Sequence, residues 1–152
     1  MDLSKTEMEL WAKNVSESLD PSCHHAIEGH TLDSILREIA NILQIEGISN
    51  QKEIQDKLTD YRYVGEICDL FRGRHIRWIR LLDSTGARIL TNGNLTLTNG
   101  GIVTDIKFQD NGIYIQCKNT RNQFMLFRFD HCLIFQKLTP EECMLLLFQK
   151  NR

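Results

Sequence analysis

The chain has 152 residues, of which 41% are hydrophobic and 25% charged, enough apolar material to close a core in one ordinary domain or two very small ones and to exclude a disordered chain. Its net charge of −2 conceals a division: residues 1–71 hold 6 Lys/Arg against 14 Asp/Glu, and residues 72–152 hold 12 against 6. No eighteen apolar residues run together and no basic leader precedes an apolar core, which argues against a spanning segment and a secretory signal.

The first half reads as helices. Ser4-Lys5-Thr6-Glu7 has the form of a capping box, and Leu10, Trp11, Val15 and Leu19 then follow one stripe, predicting an amphipathic helix that ends near Asp20-Pro21. Beyond a loop with Cys23, His24, His25 and Gly29, Thr31 is placed to cap a second helix. Its apolar positions Leu32, Ile35, Leu36, Ile39, Ile42 and Leu43 recur at three- and four-residue spacing until Gly47 stops it. Ser49 is expected to cap a shorter helix carrying Ile54 and Leu58. Asp60 is expected to begin a fourth, through Val64, Ile67, Cys68, Leu70 and Phe71 to Gly73.

Through Ile39, Ile42, Leu43, Gly47, Ile48, Ser49, Asn50, Gln51, Glu53, Ile54 and Leu58, the stretch Ile35–Leu58 resembles the two opening helices of winged helix-turn-helix domains, particularly the arginine-repressor type. The resemblance implies DNA reading by a basic third helix, because phosphate contacts supply most of the affinity. The segment in that place, Tyr61–Phe71, sets Arg62 against Glu66 and Asp69. That balance suits helical packing or protein docking better.

From His75 onward, β-rich runs alternate with turn residues. The runs are His75–Leu82, Ala87–Leu90, Leu95–Leu97, Ile102–Phe108, Ile113–Lys118, Phe124–Phe129 and Cys132–Leu138, and Asn92-Gly93, Asn99-Gly100-Gly101 and Asp110-Asn111-Gly112 are among the turns between them. Short strands joined by hairpins tend to curl, and the pattern suggests a small barrel of the Tudor, Sm or Src-homology kind. Thr139-Pro140-Glu141-Glu142 then supplies a cap, a first-turn proline and an N3 glutamate for a last helix through Met144, Leu145, Leu147 and Phe148. The expected fold class is α+β: a helical region over residues 1–72, then a small antiparallel β-barrel or sandwich domain with a C-terminal helix over residues 73–152.

Gly73-Arg74, Ile76-Arg77-Trp78-Ile79, Asn99-Gly100-Gly101-Ile102 and Phe135-Gln136-Lys137-Leu138-Thr139-Pro140-Glu141-Glu142 also resemble segments of uncharacterised small proteins of large double-stranded DNA viruses, over about residues 60–148. Such families carry no agreed activity, so the resemblance implies a viral setting and nothing about chemistry.

Arg72, Arg74, Arg77 and Arg80, with Trp78 among them, form the most functional-looking stretch. On a strand, Arg74, Ile76, Trp78 and Arg80 share one face and His75, Arg77 and Ile79 the other. One reading has these residues, extended by Arg121, binding a nucleic acid or another anionic partner, with Trp78 as a stacking platform. The other puts Ile76 and Trp78 in the core and pairs the arginines with the acidic helices. Arg88, Lys107, Lys118 and Arg128 extend the positive character, yet residues 72–128 total 9 basic against 3 acidic residues, less than dedicated nucleic-acid binders carry.

Other candidates read as structure. Cys23, His24, His25 and His30 lie close in sequence, but adjacent residues cannot all turn toward one ion without a contorted backbone. Cys132 beside His131 suggests a thiol nucleophile, whereas neighbours on a strand point to opposite faces and Cys132-Leu133-Ile134-Phe135 reads as core. No phosphate loop, carboxylate-pair motif or HExxH is present. Five scattered cysteines without CxxC spacing suit reduced thiols in an intracellular compartment, cytoplasmic, nuclear or virion-associated, where Asn14-Val15-Ser16 and Asn94-Leu95-Thr96 are chance matches to a glycosylation pattern.

The sequence therefore points first to a non-enzymatic interaction or structural module, with a protein partner or self-association, no cofactor, no metal and no membrane. A nucleic-acid-associated protein using the Arg/Trp face is the alternative, and a small enzyme comes third.

Overall fold

Thr31 opens the first described helix, α1 (Leu32–Ile45), by a reciprocal cap: its hydroxyl accepts from the Ser34 N–H at 3.1 Å, and the Ser34 hydroxyl accepts from the Thr31 N–H at 2.8 Å. Ile35, Ile39 and Leu43 form its buried stripe. At its end Gly47 takes φ +69°, and the N–H groups of Gly47 and Ile48 close on the carbonyls of Gln44 and Leu43, so the expected glycine stop is a Schellman turn. The computed structural model describes residues 27–89 and 95–150, apart from the side chains of 149 and 150. The predicted helix before Pro21, the Cys23-His24-His25 group and the Asn92-Gly93 turn lie outside those residues.

The second helix, α2 (Gln51–Lys57), begins one residue later than expected, from Asn50 instead of Ser49. The Asn50 amide does not cap the helix. It holds the backbone of Leu95, donating to the Leu95 carbonyl at 3.0 Å and accepting from its N–H at 3.4 Å.

The expected fourth helix is not formed. Tyr61–Val64 is strand β1, followed by a single 3-10 turn at Ile67–Asp69. Tertiary pairing overrides the three- and four-residue spacing, because Tyr61, Arg62, Tyr63 and Val64 stand opposite Lys137, Gln136, Phe135 and Ile134 of the last strand.

Strands β2 (His75–Arg80), β3 (Gly101–Gln109), β4 (Gly112–Lys118), β5 (Phe124–Arg128) and β6 (Cys132–Lys137) follow, then helix α3 (Pro140–Lys150). The runs predicted at Ala87–Leu90 and Leu95–Leu97 contribute only isolated bridges, Leu82 to Arg88 and Ile79 to Leu97. Thr139 and Glu142 cap each other's backbone N–H as the motif requires. At Gly100, φ is +84° and a Cβ would lie 2.0 Å from the Ile76 carbonyl oxygen, so only glycine lets this loop approach β2.

All strand pairs are antiparallel, in the order β1-β6-β2-β3-β4-β5. The sheet is open, which corrects the expected barrel. After β5 the chain makes a 3-10 turn at Phe129–His131, and β6 then inserts between β1 and β2. Strands β1 and β5 are thus left as the two edges. The sheet is nonetheless strongly curled: β2 and β5 stand three positions apart, about 14 Å in a flat sheet, yet the Trp78 and Phe127 rings stack at 4.3 Å.

Each face buries its own core. Ile79, Leu81, Leu133 and Phe135 pack on Ile39, Leu43, Ile54 and Leu58 of the helices. The concave face encloses Val64, Leu70, Ile76, Trp78, Val103, Ile115, Cys117, Phe127 and Ile134. The first core draws on residues from both sides of position 72, and β1 supplies a sheet strand from before it. A third cluster seats Leu138, Leu145 and Leu146 against Ile27 and Ile35. Among the described residues no helix is long and apolar enough to cross a membrane.

Candidate functional site

The arginine-rich stretch is distributed over several internal contacts. Arg72, exposed, pairs with Asp105 of β3 at 2.9 Å. Arg74 forms an ion pair with Glu142, which is wholly buried at the start of α3, and also donates to the Lys137 carbonyl at 2.8 Å. Arg77 donates through Nε to the Thr98 carbonyl at 2.8 Å and through a terminal nitrogen to the Lys57 carbonyl at 3.5 Å. Trp78 is only 4% exposed, and Phe127 covers one of its faces. Arg80 is exposed and stands opposite Cys132 of β6. Arg121 stands apart in the exposed turn between β4 and β5.

Of these six residues, Trp78 is buried, Arg74 and Arg77 are half-buried in internal contacts, and Arg72, Arg80 and Arg121 are exposed. The carboxylates that hold Arg72 and Arg74, Asp105 and Glu142, belong to the basic half. Among the described ion pairs, Arg88 with Glu46 at 2.8 Å joins the acidic half to the basic one.

Beneath the start of β2, the Tyr61 hydroxyl lies 3.0 Å from His75 Nδ1. Burial holds the His75 pKa below its ordinary value, helped by the nearby charges of Lys137 and Arg77, while burial raises that of Tyr61. Both groups are held neutral, as suits a structural hydrogen bond. On the other face, Arg62 is buried under the 66–73 segment, with its guanidinium 2.5 Å from the Asp69 carbonyl and over the Phe71 ring, and buried Gln136 accepts from the Phe71 N–H at 2.9 Å. A polar hollow of about 300 Å³ lies alongside, lined by His30, Glu38, Arg62, Tyr63, Glu66 and Asp69.

Cys117 and Cys132 are poorly suited to nucleophilic work. Burial pushes Cys117 up to about 12 and Cys132 up to about 11, the reverse of the depression that activates a cysteine. His30 Nδ1 is 3.1 Å from the Ser34 hydroxyl at the cap of α1. Among the described residues no three His, Cys, Asp or Glu side chains converge as metal ligands.

An exposed apolar surface lies at β5. Its inward residues Met125 and Phe127 pair with Cys117 and Ile115 and complete the concave core. Its outward residues Phe124 and Leu126 are 61% and 53% exposed. Ile102, Lys118 and Phe124 lie in one row across β3, β4 and β5, with the Lys118 ammonium 5.6 Å from the Phe124 ring centre, so the lysine stem joins the apolar side chains into one patch.

The β5 backbone is open as well. The Asn119 N–H donates to the Gln123 carbonyl. Antiparallel pairing alternates hydrogen-bonded and unbonded positions, so Phe124, Leu126 and Arg128 aim their N–H and C=O groups away from β4. Among the described residues no other strand pairs with this edge.

Sequence reasoning passed over these residues. The available signal was Phe124-Met125-Leu126-Phe127, four apolar residues in a predicted strand, where alternation would leave one side polar.

Comparison with protein-family models, with curated proteins and with solved structures gives no match.

Proposed function

We propose that this chain is a non-enzymatic interaction module that docks a protein partner through the outer face and edge of β5. The observation that carries the reading is that Phe124 and Leu126 stand exposed on an edge strand with outward backbone groups. Native edges are ordinarily blunted by charge, proline or a covering segment. Edge β1 follows that rule: it has four residues, one of them a buried arginine, and lies beside α1. Edge β5 does not.

The engagement of Arg72, Arg74 and Arg77 in internal contacts and the burial of Trp78 weigh against the alternative of a nucleic-acid face. Stacking and phosphate contacts both need those groups accessible. The viral and helix-turn-helix resemblances add nothing to the choice, since the place of a basic third helix is taken by β1.

The test is selection from a displayed peptide library on the intact chain, repeated on Leu126→Asp. Recovery of a shared peptide pattern by the native chain, lost on the variant while the fold is retained by circular dichroism, is the expected result. Selection of the same peptides by both proteins would place docking elsewhere. Salt-sensitive binding of single-stranded oligonucleotides, with no peptide selected, would favour the alternative.

A further inference from the structure

Resting on the docking reading above, we infer that the partner is an extended acidic segment that adds a seventh strand to the sheet along β5. The main-chain groups of Phe124, Leu126 and Arg128 that face away from β4 have the spacing at which another extended chain pairs with all of them at once. Its apolar side chains would lie against Phe124 and Leu126, the exposed members of the patch on β5 itself.

Charge decides the rest. Lys118 and Arg121 flank the N-terminal end of β5, Lys107 stands on the same outer face as Lys118, and no described carboxylate lies within ion-pair distance of any of the three. Of the carboxylates near this face, Asp105 is engaged by Arg72 and Asp130 by Arg128, and Asp110 stands in the β3–β4 turn, at the end of the face away from Lys118 and Arg121. The rim is therefore cationic, and acidic residues flanking an apolar centre complement it.

A second copy fits less well. Antiparallel pairing of β5 with itself about Leu126 would set each Arg128 opposite the other copy's Phe124, where Lys118 already sits over the ring. Two cations would then flank one aromatic ring.

The probe is a synthetic peptide with a Val-Ile-Val centre between Glu-Asp pairs, titrated against the full chain. Its controls are the same peptide N-methylated at alternate amides and a counterpart with Lys-Arg pairs in place of the acids. The acidic peptide should bind, the basic one should bind about tenfold or more weakly, as a few exposed ion pairs allow, and N-methylation should abolish binding. Leu126→Asp should also abolish it, and the double variant Lys118→Glu, Arg121→Glu should reverse the charge preference while leaving the fold intact, since these side chains lie outside the core.

Binding that survives N-methylation would overturn strand addition and leave surface docking standing. Equal binding of the acidic and basic peptides would overturn the acidic partner. A chain that ignores the peptide but sediments as a dimer dissociated by Leu126→Asp would make the occupant a second copy. No binding of the peptide together with a monomeric chain would overturn the inference. Displacement of the peptide by oligothymidine, abolished by the double variant, would overturn it together with the docking reading.

Discussion

Glu142 carries its carboxylate to a fully buried position, where Arg74, the Thr139 N–H and the first turn of α3 meet it. Removing one member of such a pair leaves an uncompensated charge away from water, so Arg74→Ala is expected to cost about 3–5 kcal/mol in urea unfolding. Glu142→Gln, which keeps an oxygen for the cap, should cost less. Trp78→Ala should cost a similar 3–5 kcal/mol or so, because it empties the space between Ile76, Phe127 and Ile134 in the concave core. His75 gives a pH signature. The fold holds its pKa below 6.5, so the neutral ring is the form that folding favours. Its contribution is complete above the unfolded value and is lost as pH falls through 6.5 toward the folded one. The urea midpoint of the native chain should fall more between about pH 7.5 and about pH 5 than that of His75→Gln. Equal falls would show that this ring does not carry the linkage.

At the scale of elements, two glycines separate a local requirement from a tertiary one. Gly47 needs only the left-handed conformation, with nothing within 4 Å of an added Cβ, so Gly47→Ala is expected to cost about 1 kcal/mol. Gly100 needs that conformation and also lies against the β2 backbone, where the added carbon would meet a carbonyl oxygen. Gly100→Ala should therefore cost clearly more and should displace the start of β3, where Gly101 pairs with Ile76. Calorimetric melting of the two variants measures the difference. If both lost the same stability, the close approach would carry no weight. The helices and turns set by such local chemistry were legible: the Thr31 cap, the Gly47 stop and the Thr139-Pro140-Glu141-Glu142 start all form as their residues dictate. Tyr61–Val64 was misread because Val64, Ile67, Leu70 and Phe71 recur at helical spacing, while the competing signal, two tyrosines alternating with Arg62 and Val64, is only four residues long.

For the molecule as a whole, the internal use of Arg77 predicts a result opposite to that of a nucleic-acid face. Its contacts with Thr98 and Lys57 tie the loop before β3 and the end of α2 to β2. Arg77→Glu should remove charged hydrogen bonds worth about 2 kcal/mol and lower the melting temperature by about 4–8 °C. Arg80→Glu, on an exposed side chain, should change it little. Oligonucleotide affinity should be negligible at physiological salt for all three proteins. Strong binding by the native chain that both reversals abolish without a change in melting would restore the Arg/Trp face.

Sequence alone determined the α+β class, α1 and α3 with their caps, and the β3–β4 and β4–β5 hairpins, because each rests on interactions between residues a few positions apart. It also placed Ile76 and Trp78 on one side of β2 and Ile79 on the other, since alternation is a property of any strand. Only the tertiary structure decided that Cys132–Lys137 enters between β1 and β2, that Tyr61–Val64 therefore becomes a strand, and that the sheet stays open with β5 at an edge. Those outcomes depend on pairings between distant residues, β2 with β6 across 52 to 60 positions and β1 with β6 across about seventy, for which a run of β-formers specifies no partner. The same distance separates Arg74 from Glu142, and for that reason the charge division of the chain did not reveal which carboxylates its arginines would meet.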